Sequence, residues 1–268
     1  MDHDLNIYDA LYGSFENPVY RKIRLETYGR DIGQTGWLLA DEFDRFLRLL
    51  GLTGKSSAIE VASGSGGPAI ALAKSSGCAL TGIDINPQAI TRANAAARQP
   101  GLTTRVRFLQ GDATERLPFD NDSADCILCF DAINHFPDRI AVLKDWYRIL
   151  KLGGRAIFTD PIVITGFLTN REIQTRSSIG YFLYAPHGTN ERLLRESGFE
   201  ILLAENSTET IAQIAKRWKE SRDRNRDELL QIEGAKIYEG TQEFLEMARL
   251  LAAEKRLSRY TYLAQKRA

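Results

Sequence analysis

Hydrophobic and polar positions along this 268-residue chain change rhythm near residue 50. Before it, apolar residues recur at helical spacing: Leu5, Tyr8, Leu11, Tyr12 and Phe15, then Trp37, Leu38, Phe43, Phe46, Leu47 and Leu50 ahead of Gly51. Steps of three and four put such residues on one helix face, and a following glycine is a stop signal. From Ser56 onward, short β-rich runs alternate with helical patterns. "AIEVA" precedes a helix over 67–76 and "CALTGIDI" one over 87–98; "RVRFLQGD", "DCILCFDA", a helix over 137–150 and "GRAIFTD" follow. Strands alternating with helices at this spacing predict a parallel sheet with helices on both faces. Beyond Pro161 come an aromatic-rich piece, "IGYFLYAPHG", a helix over 190–197 and the strand-like "FEILLAE". A long charged helical stretch over 207–257 leads to "SRYTYLAQKR", a closing strand. The expected organisation is a helical cap over 1–50 and an α/β core over 51–268, with helical lid segments at about 161–198 and 207–257.

Composition narrows the function classes. The chain has 35 Lys and Arg against 35 Asp and Glu, so it lacks the basic footprint that nucleic acid or an anionic membrane surface selects. No apolar run approaches the ~20 residues of a membrane span. The beginning, "MDHDLNIYDALYG", has no basic segment followed by an apolar one, which sets the expectation of a cytoplasmic protein. Cys126 and Cys129 form a C-x-x-C pair, yet they fall inside a strand pattern, where residues three apart point to opposite faces. With Cys78 they read as core cysteines in a reducing compartment, and no metal site is expected. "KRWKESRDRNRDE" mixes charge signs along a helix and reads as a solvated face.

Ligands of parallel α/β sheets bind outside the carboxyl ends of the strands, and four groups fall there. "EVASGSGG" follows the first strand, where glycines allow positive φ and close ligand approach. Asp84, 20 residues after Gly64, stands where a carboxylate accepts both hydroxyls of a ribose. Gly111-Asp112-Ala113 offers an acceptor for an adenine amine, and "FDAINHF" over 130–136 ends the fourth strand. Read alone, Gly64-x-Gly66-x-x-Ala69 also fits the dinucleotide fingerprint. A dehydrogenase leaves Asp112 and "FDAINH" without a task, and Glu60 just before the loop would repel a pyrophosphate. The same charge suits an amino group.

These motifs, in order over 60–160, resemble class I S-adenosylmethionine-dependent methyltransferases. "EVASGSGG" is similar to the family's E/D-x-G-x-G-x-G loop, with Ala62 at the first glycine. Asp84-Ile85-Asn86 resembles the ribose motif, Gly111-Asp112-Ala113 the adenine-side motif, and "RILKLGGRAIFTD" the end of the core. The resemblance implies a Rossmann-like, doubly wound, seven-stranded sheet whose last strand is antiparallel. It also implies S-adenosyl-L-methionine as cofactor, held by Glu60, Ala62, Ser63, Gly64, Gly66, Asp84, Ile85, Asn86, the 111–113 segment and Phe130. A finer likeness joins the chain to phosphoethanolamine and sarcosine/dimethylglycine methyltransferases. It rests on "DIGQTGW", which supplies Gln34, Thr35 and Gly36 over the cofactor's carboxylate, and on Asp131-Ala132-Ile133-Asn134-His135. By that likeness His135 and Asp131 are catalytic, with Tyr12 and Tyr20 as partners for a catalytic latch. Arg176 matches an arginine of the family's phosphate clamp, while the tyrosines expected beside it read Ser178 and Pro161. Tyr181 and Tyr184 join Arg176 as candidate substrate contacts.

The expected activity is therefore methyl transfer from S-adenosylmethionine to a small-molecule acceptor, first at nitrogen. His135 serves as general base or orienting group, with Asp131 orienting its ring. Oxygen or carbon acceptors stay open. So do two rivals of other classes, a nicotinamide-dependent oxidoreductase and a non-catalytic cofactor-binding protein.

Overall fold

A computed structural model describes residues 15–267 of the chain. Two helices come first, α1 (Pro18–Tyr28) and α2 (Ala40–Leu50). Asn17 starts α1 by accepting the Val19 N–H, with Pro18 pre-set for the first turn. The core then alternates β1 (Ser57–Val61), α3 (Gly67–Ser76), β2 (Ala79–Asp84), α4 (Pro87–Ala96), β3 (Val106–Gln110) and β4 (Ala124–Cys129). A 3₁₀ turn (Ile133–His135) leads to α5 (Arg139–Ile149), the long β5 (Leu150–Ile164), α6 (Asn170–Arg176) and the two-residue β6 (Ala185–Pro186). The chain closes with α7 (Thr189–Glu196), β7 (Phe199–Asn206), α8 (Thr208–Arg224), α9 (Arg226–Ala253) and β8 (Leu257–Lys266).

The strands form one sheet in the order β3-β2-β1-β4-β5-β8-β7, with β6 paired to the end of β5. β1 to β5 run parallel, and β8 is antiparallel to both β5 and β7. The doubly wound order with an antiparallel last strand agrees with the sequence expectation. The short β6 is an eighth strand, built from a piece whose aromatic pattern carried no strand signal. Strand order reverses at β1/β4, which opens a crevice at their carboxyl ends. One face of the sheet buries Trp146, Phe158 and Ile127, and the other Phe46, Phe108 and Leu80. Cys129 packs on the first face and Cys126 on the second, as their spacing on a strand requires.

Over the crevice the first helices and the β7–β8 insertion pack together. Tyr28 and Trp37 share an apolar cluster with Ile211, Ile214, Phe244 and Leu245, and Val19 and Ile23 share another with Leu229 and Tyr238. The insertion is two helices, and α9 is kinked at Gly234, whose φ of 76° and ψ of 164° only glycine adopts readily.

Candidate active site

Strand ends and helical roof enclose a cavity of about 780 Å³. Its floor comes from the sequence motifs. Glu60 stands near the end of β1 with Gly82 and Leu128 as its strand neighbours, and only 3% of its surface is exposed. Burial pushes its carboxyl group up to about 8, with the Ala69 N–H opposing the shift. Its Oε2 and the Ser63 hydroxyl are buried without a hydrogen-bond partner within the protein. Such atoms on a cavity wall are suited to a polar ligand, because an unmade buried hydrogen bond costs ~1–3 kcal/mol. Asp84 accepts the Gly64 N–H at 2.7 Å and the Asn86 N–H at 2.9 Å, which fixes the carboxylate at the cavity edge. Burial raises its pKa while those two N–H groups work against the shift. Ile85 is 63% exposed beside it, an apolar surface on the cavity wall. Asp112 holds the Thr114 N–H and hydroxyl, and with Gly111, Ala113 and Phe130 lines the same side.

The loop over 31–37 presses on this floor. A Cβ on Gly67 would sit 2.2 Å from the Ile32 carbonyl oxygen, so glycine there permits the approach. Gln34 is buried, but its amide is spent on the loop itself, accepting from Ile32 N–H and donating to the Arg30 carbonyl. Gln34, Thr35 and Gly36 all line the cavity. The far end of the loop is tied by Asp131, which accepts the Trp37 N–H at 2.8 Å.

Asp131 corrects one expectation. Its carboxylate is committed to Trp37, the Thr159 hydroxyl and, at 2.8 Å, Arg259 Nε. It therefore does not orient the His135 ring. Arg259 is fully buried and also donates to Glu42 at 2.7 Å. Burial alone would pull its pKa down, yet the two carboxylates hold it charged and raise it. Arg259, on β8, thus joins Glu42 of α2 to the end of β4. His135 takes its orientation elsewhere, with Nδ1 at 2.9 Å from the Tyr181 carbonyl and the ring 5.1 Å from that of Phe182. A carbonyl only accepts, so Nδ1 carries the hydrogen and the lone pair of the neutral ring is on Nε2. Burial lowers the His135 pKa, which favours that neutral form.

Other expected residues fall differently. Tyr12 lies outside the described residues. Tyr20 lines the cavity, but its hydroxyl donates to Glu233 at 2.8 Å, and burial raises its pKa, so it is a held neutral phenol. Gly66 has a φ of 79° and turns the chain into α3, yet a Cβ there would meet the Phe108 ring at 2.5 Å rather than the cavity. Tyr181 supplies its backbone to His135 while its ring points to solvent, 67% exposed. Tyr184 bonds the Ser177 hydroxyl and packs in the cluster with Ile162 and Leu251, behind the residues that line the cavity. Arg176 is buried on the wall, its guanidinium 5.1 Å from the Trp37 ring, 4.7 Å from Phe244 and 5.8 Å from Phe182. Aromatic surroundings of this kind hold a cation, here one of the chain's own.

The charge run expected to be solvated is not uniformly so. Arg222 is buried, pairs with Glu233 and donates to Gln242, while Trp218 of the same run lines the cavity. Both come from α8, well beyond the motifs in sequence, and mixed charge in a helix carries no signal for which residue turns inward.

A family model described as "Methyltransferase domain" matches residues 59–158, the stretch from β1 into β5. Residues 59–158 are a methyltransferase domain, of the class I, S-adenosylmethionine-dependent kind. The chain is 29% identical over 185 residues to 27-O-demethylrifamycin SV methyltransferase of Amycolatopsis mediterranei, covering 68% of this chain and 66% of that one. It is 26% identical over 182 residues to sarcosine/dimethylglycine N-methyltransferase of Halorhodospira halochloris, covering 65% and 62%. Each match spans less than two thirds of the relative's length. In fold it is similar to Haemonchus contortus phosphoethanolamine N-methyltransferase 2 solved with S-adenosyl-L-methionine, with a TM-score of 0.80 at 20% identity, covering 98% of this chain and 60% of that one.

Proposed function

We propose that the methyltransferase transfers a methyl group to a proton-bearing heteroatom of a small molecule, with His135 Nε2 receiving the proton. The observation that carries the reading is the meeting, in one cavity, of the strand-end carboxylates and a neutral His135 whose Nδ1 is already engaged.

Glu60 and Ser63, with their buried unpartnered oxygens, would hold the amino-acid end of the cofactor. Asp84 would take its ribose hydroxyls, with Ile85, Asp112 and Ala113 about the base. S-adenosylmethionine, when bound, supplies a methyl group on a sulfonium, displaced in line by the acceptor's lone pair. What remains for the chain is to align the acceptor and remove one proton. His135 does the second, neutral near pH 7 because burial disfavours its cation. Asp131 acts as a positioning residue, tying the 31–37 loop over the cofactor through the Trp37 N–H. Tyr20 stands on the acceptor side as a donor held by Glu233.

Nitrogen is the first acceptor to test. A hydroxyl is the second reading, because Arg176 already occupies the face of Trp37, Phe182 and Phe244, where a methylated ammonium would otherwise sit. No helix among the described residues is long and apolar enough to cross a membrane, and we place the protein's work in the cytoplasm. Incubation with S-adenosylmethionine and a panel of amines, phenols and alcohols, read as S-adenosylhomocysteine by mass spectrometry, tests the activity. His135→Gln is expected to lower kcat by roughly 10²–10⁴ for a proton-bearing acceptor. Unchanged turnover would remove His135 from the role. Calorimetry showing NAD bound and S-adenosylhomocysteine not bound would overturn the cofactor assignment in full.

A further inference from the structure

Beyond the strand-end motifs the cavity continues into a compartment with a different character. Its walls begin at His135, whose ring meets Phe182, and continue through Trp37 and Phe244 to Trp218, 6.4 Å from Trp37. Ile232 and Ile237 of α9 complete the far side on the two flanks of the Gly234 kink. They are 38% and 41% exposed, and the surface they expose borders the cavity. Large apolar side chains left wet on a concave wall mark a place where an apolar ligand body fits.

Arg176 lies against Trp37, Phe182 and Phe244, and the other polar groups of this compartment are largely occupied with one another. Glu233 accepts from both Tyr20 and Arg222, Arg222 also donates to Gln242, and the Thr241 hydroxyl donates to the Ile237 carbonyl. A small zwitterion placed here would lose its hydration against rings and isoleucines, which costs several kcal/mol per uncompensated charge.

We propose that the methyl acceptor is a bulky, predominantly apolar, uncharged molecule, seated with one hydroxyl or neutral amine toward His135. Its body lies along Phe182, Trp37, Trp218, Ile232 and Ile237. This rests on the methyl-transfer reading above and narrows its substrate class away from small amino acids and phosphobases.

The test uses the full chain saturated with S-adenosylhomocysteine and titrated with 7-hydroxyflavone, a neutral three-ring phenol, against sarcosine and phosphoethanolamine. Binding is read by calorimetry and by the fluorescence of Trp37 and Trp218, which border the compartment. The flavone is expected to bind at least tenfold more tightly than either polar compound. Ile237→Glu, a change at a partly exposed position, is expected to weaken flavone binding at least tenfold while S-adenosylhomocysteine affinity stays within twofold. Tighter binding of sarcosine or phosphoethanolamine, or flavone affinity untouched by Ile237→Glu, overturns the proposal while the methyl-transfer reading stands. Failure of S-adenosylhomocysteine to bind the wild-type chain would instead remove the methyl-transfer reading on which it rests.

Discussion

Glu60 links cofactor binding to stability in a way that can be measured. Its carboxyl group rises from the usual 4.5 to about 8 in the folded chain, because β1 and its neighbours exclude water from it. An acid whose folded pKa is raised costs the protein stability as pH rises from the unfolded value, through the folded one, and no further. At pH 7 the gap is about 2.5 pH units, or about 3 kcal/mol at ~1.36 kcal/mol per unit. Glu60→Gln keeps the shape and removes the charge, so the ligand-free variant should be about 3 kcal/mol more stable than wild type at pH 7. With a shift of ~2–4 °C per kcal/mol for chains of this size class, melting should rise by roughly 6–12 °C. The gain should shrink as pH falls toward 4.5 and disappear well below it, where the wild-type carboxyl group is protonated in both states. The cofactor's ammonium would restore the charge, so binding of S-adenosylhomocysteine at pH 7 should release close to one proton. Calorimetry in two buffers of different ionisation enthalpy reads that proton, and the variant should release none and bind at least tenfold more weakly. Equal enthalpies in both buffers, together with unchanged melting of Glu60→Gln between pH 5 and 8, would refute the reasoning.

Other expectations follow from neighbouring groups. Arg259→Leu leaves Asp131 and Glu42 buried without their cation and should cost about 3–5 kcal/mol in denaturant unfolding at neutral pH. Because burial lowers the His135 pKa, kcat/KM for a proton-bearing acceptor should stay level from pH 8 to 7 and fall only below the ordinary histidine value of 6.5 as the imidazole takes a proton; a midpoint at or above 6.5 would contradict the burial argument. Gly234→Ala forces a side chain into a backbone region reserved for glycine and should cost about 1–3 kcal/mol, read by thermal melting, although no atom lies near enough to clash with the added methyl group. Gly67→Ala should weaken S-adenosylhomocysteine binding by displacing the 31–37 loop, which calorimetry measures directly.

The strand-end floor of the cavity was readable along the chain because each of its pieces is local. A strand end, a glycine turn and an acidic residue follow one another within a few positions, and the parallel sheet then aligns those ends without further instruction. Glu60, Asp84 and Asp112 needed only their own neighbours to be recognised. Asp131 and His135 were found by the same route, but their relation was not. A spacing of four suggested a pair, while folding brought Arg259 to Asp131 from 128 residues away and the Tyr181 carbonyl to His135 from 46 residues away.

What the sequence determined by itself was therefore the alternating layered core and the strand-end residues that floor the cavity, since hydrophobic period and turn chemistry act over short distances. Tertiary structure alone decided the far side of the cavity. Trp218, Arg222, Ile232 and Glu233 belong to helices whose pattern reads as an ordinary charged face. Their inward turn depends on how α8 and α9 pack against α1 and on where Gly234 bends the chain. Such packing is a balance of contacts between segments about 200 residues apart, so no local run of residues records it.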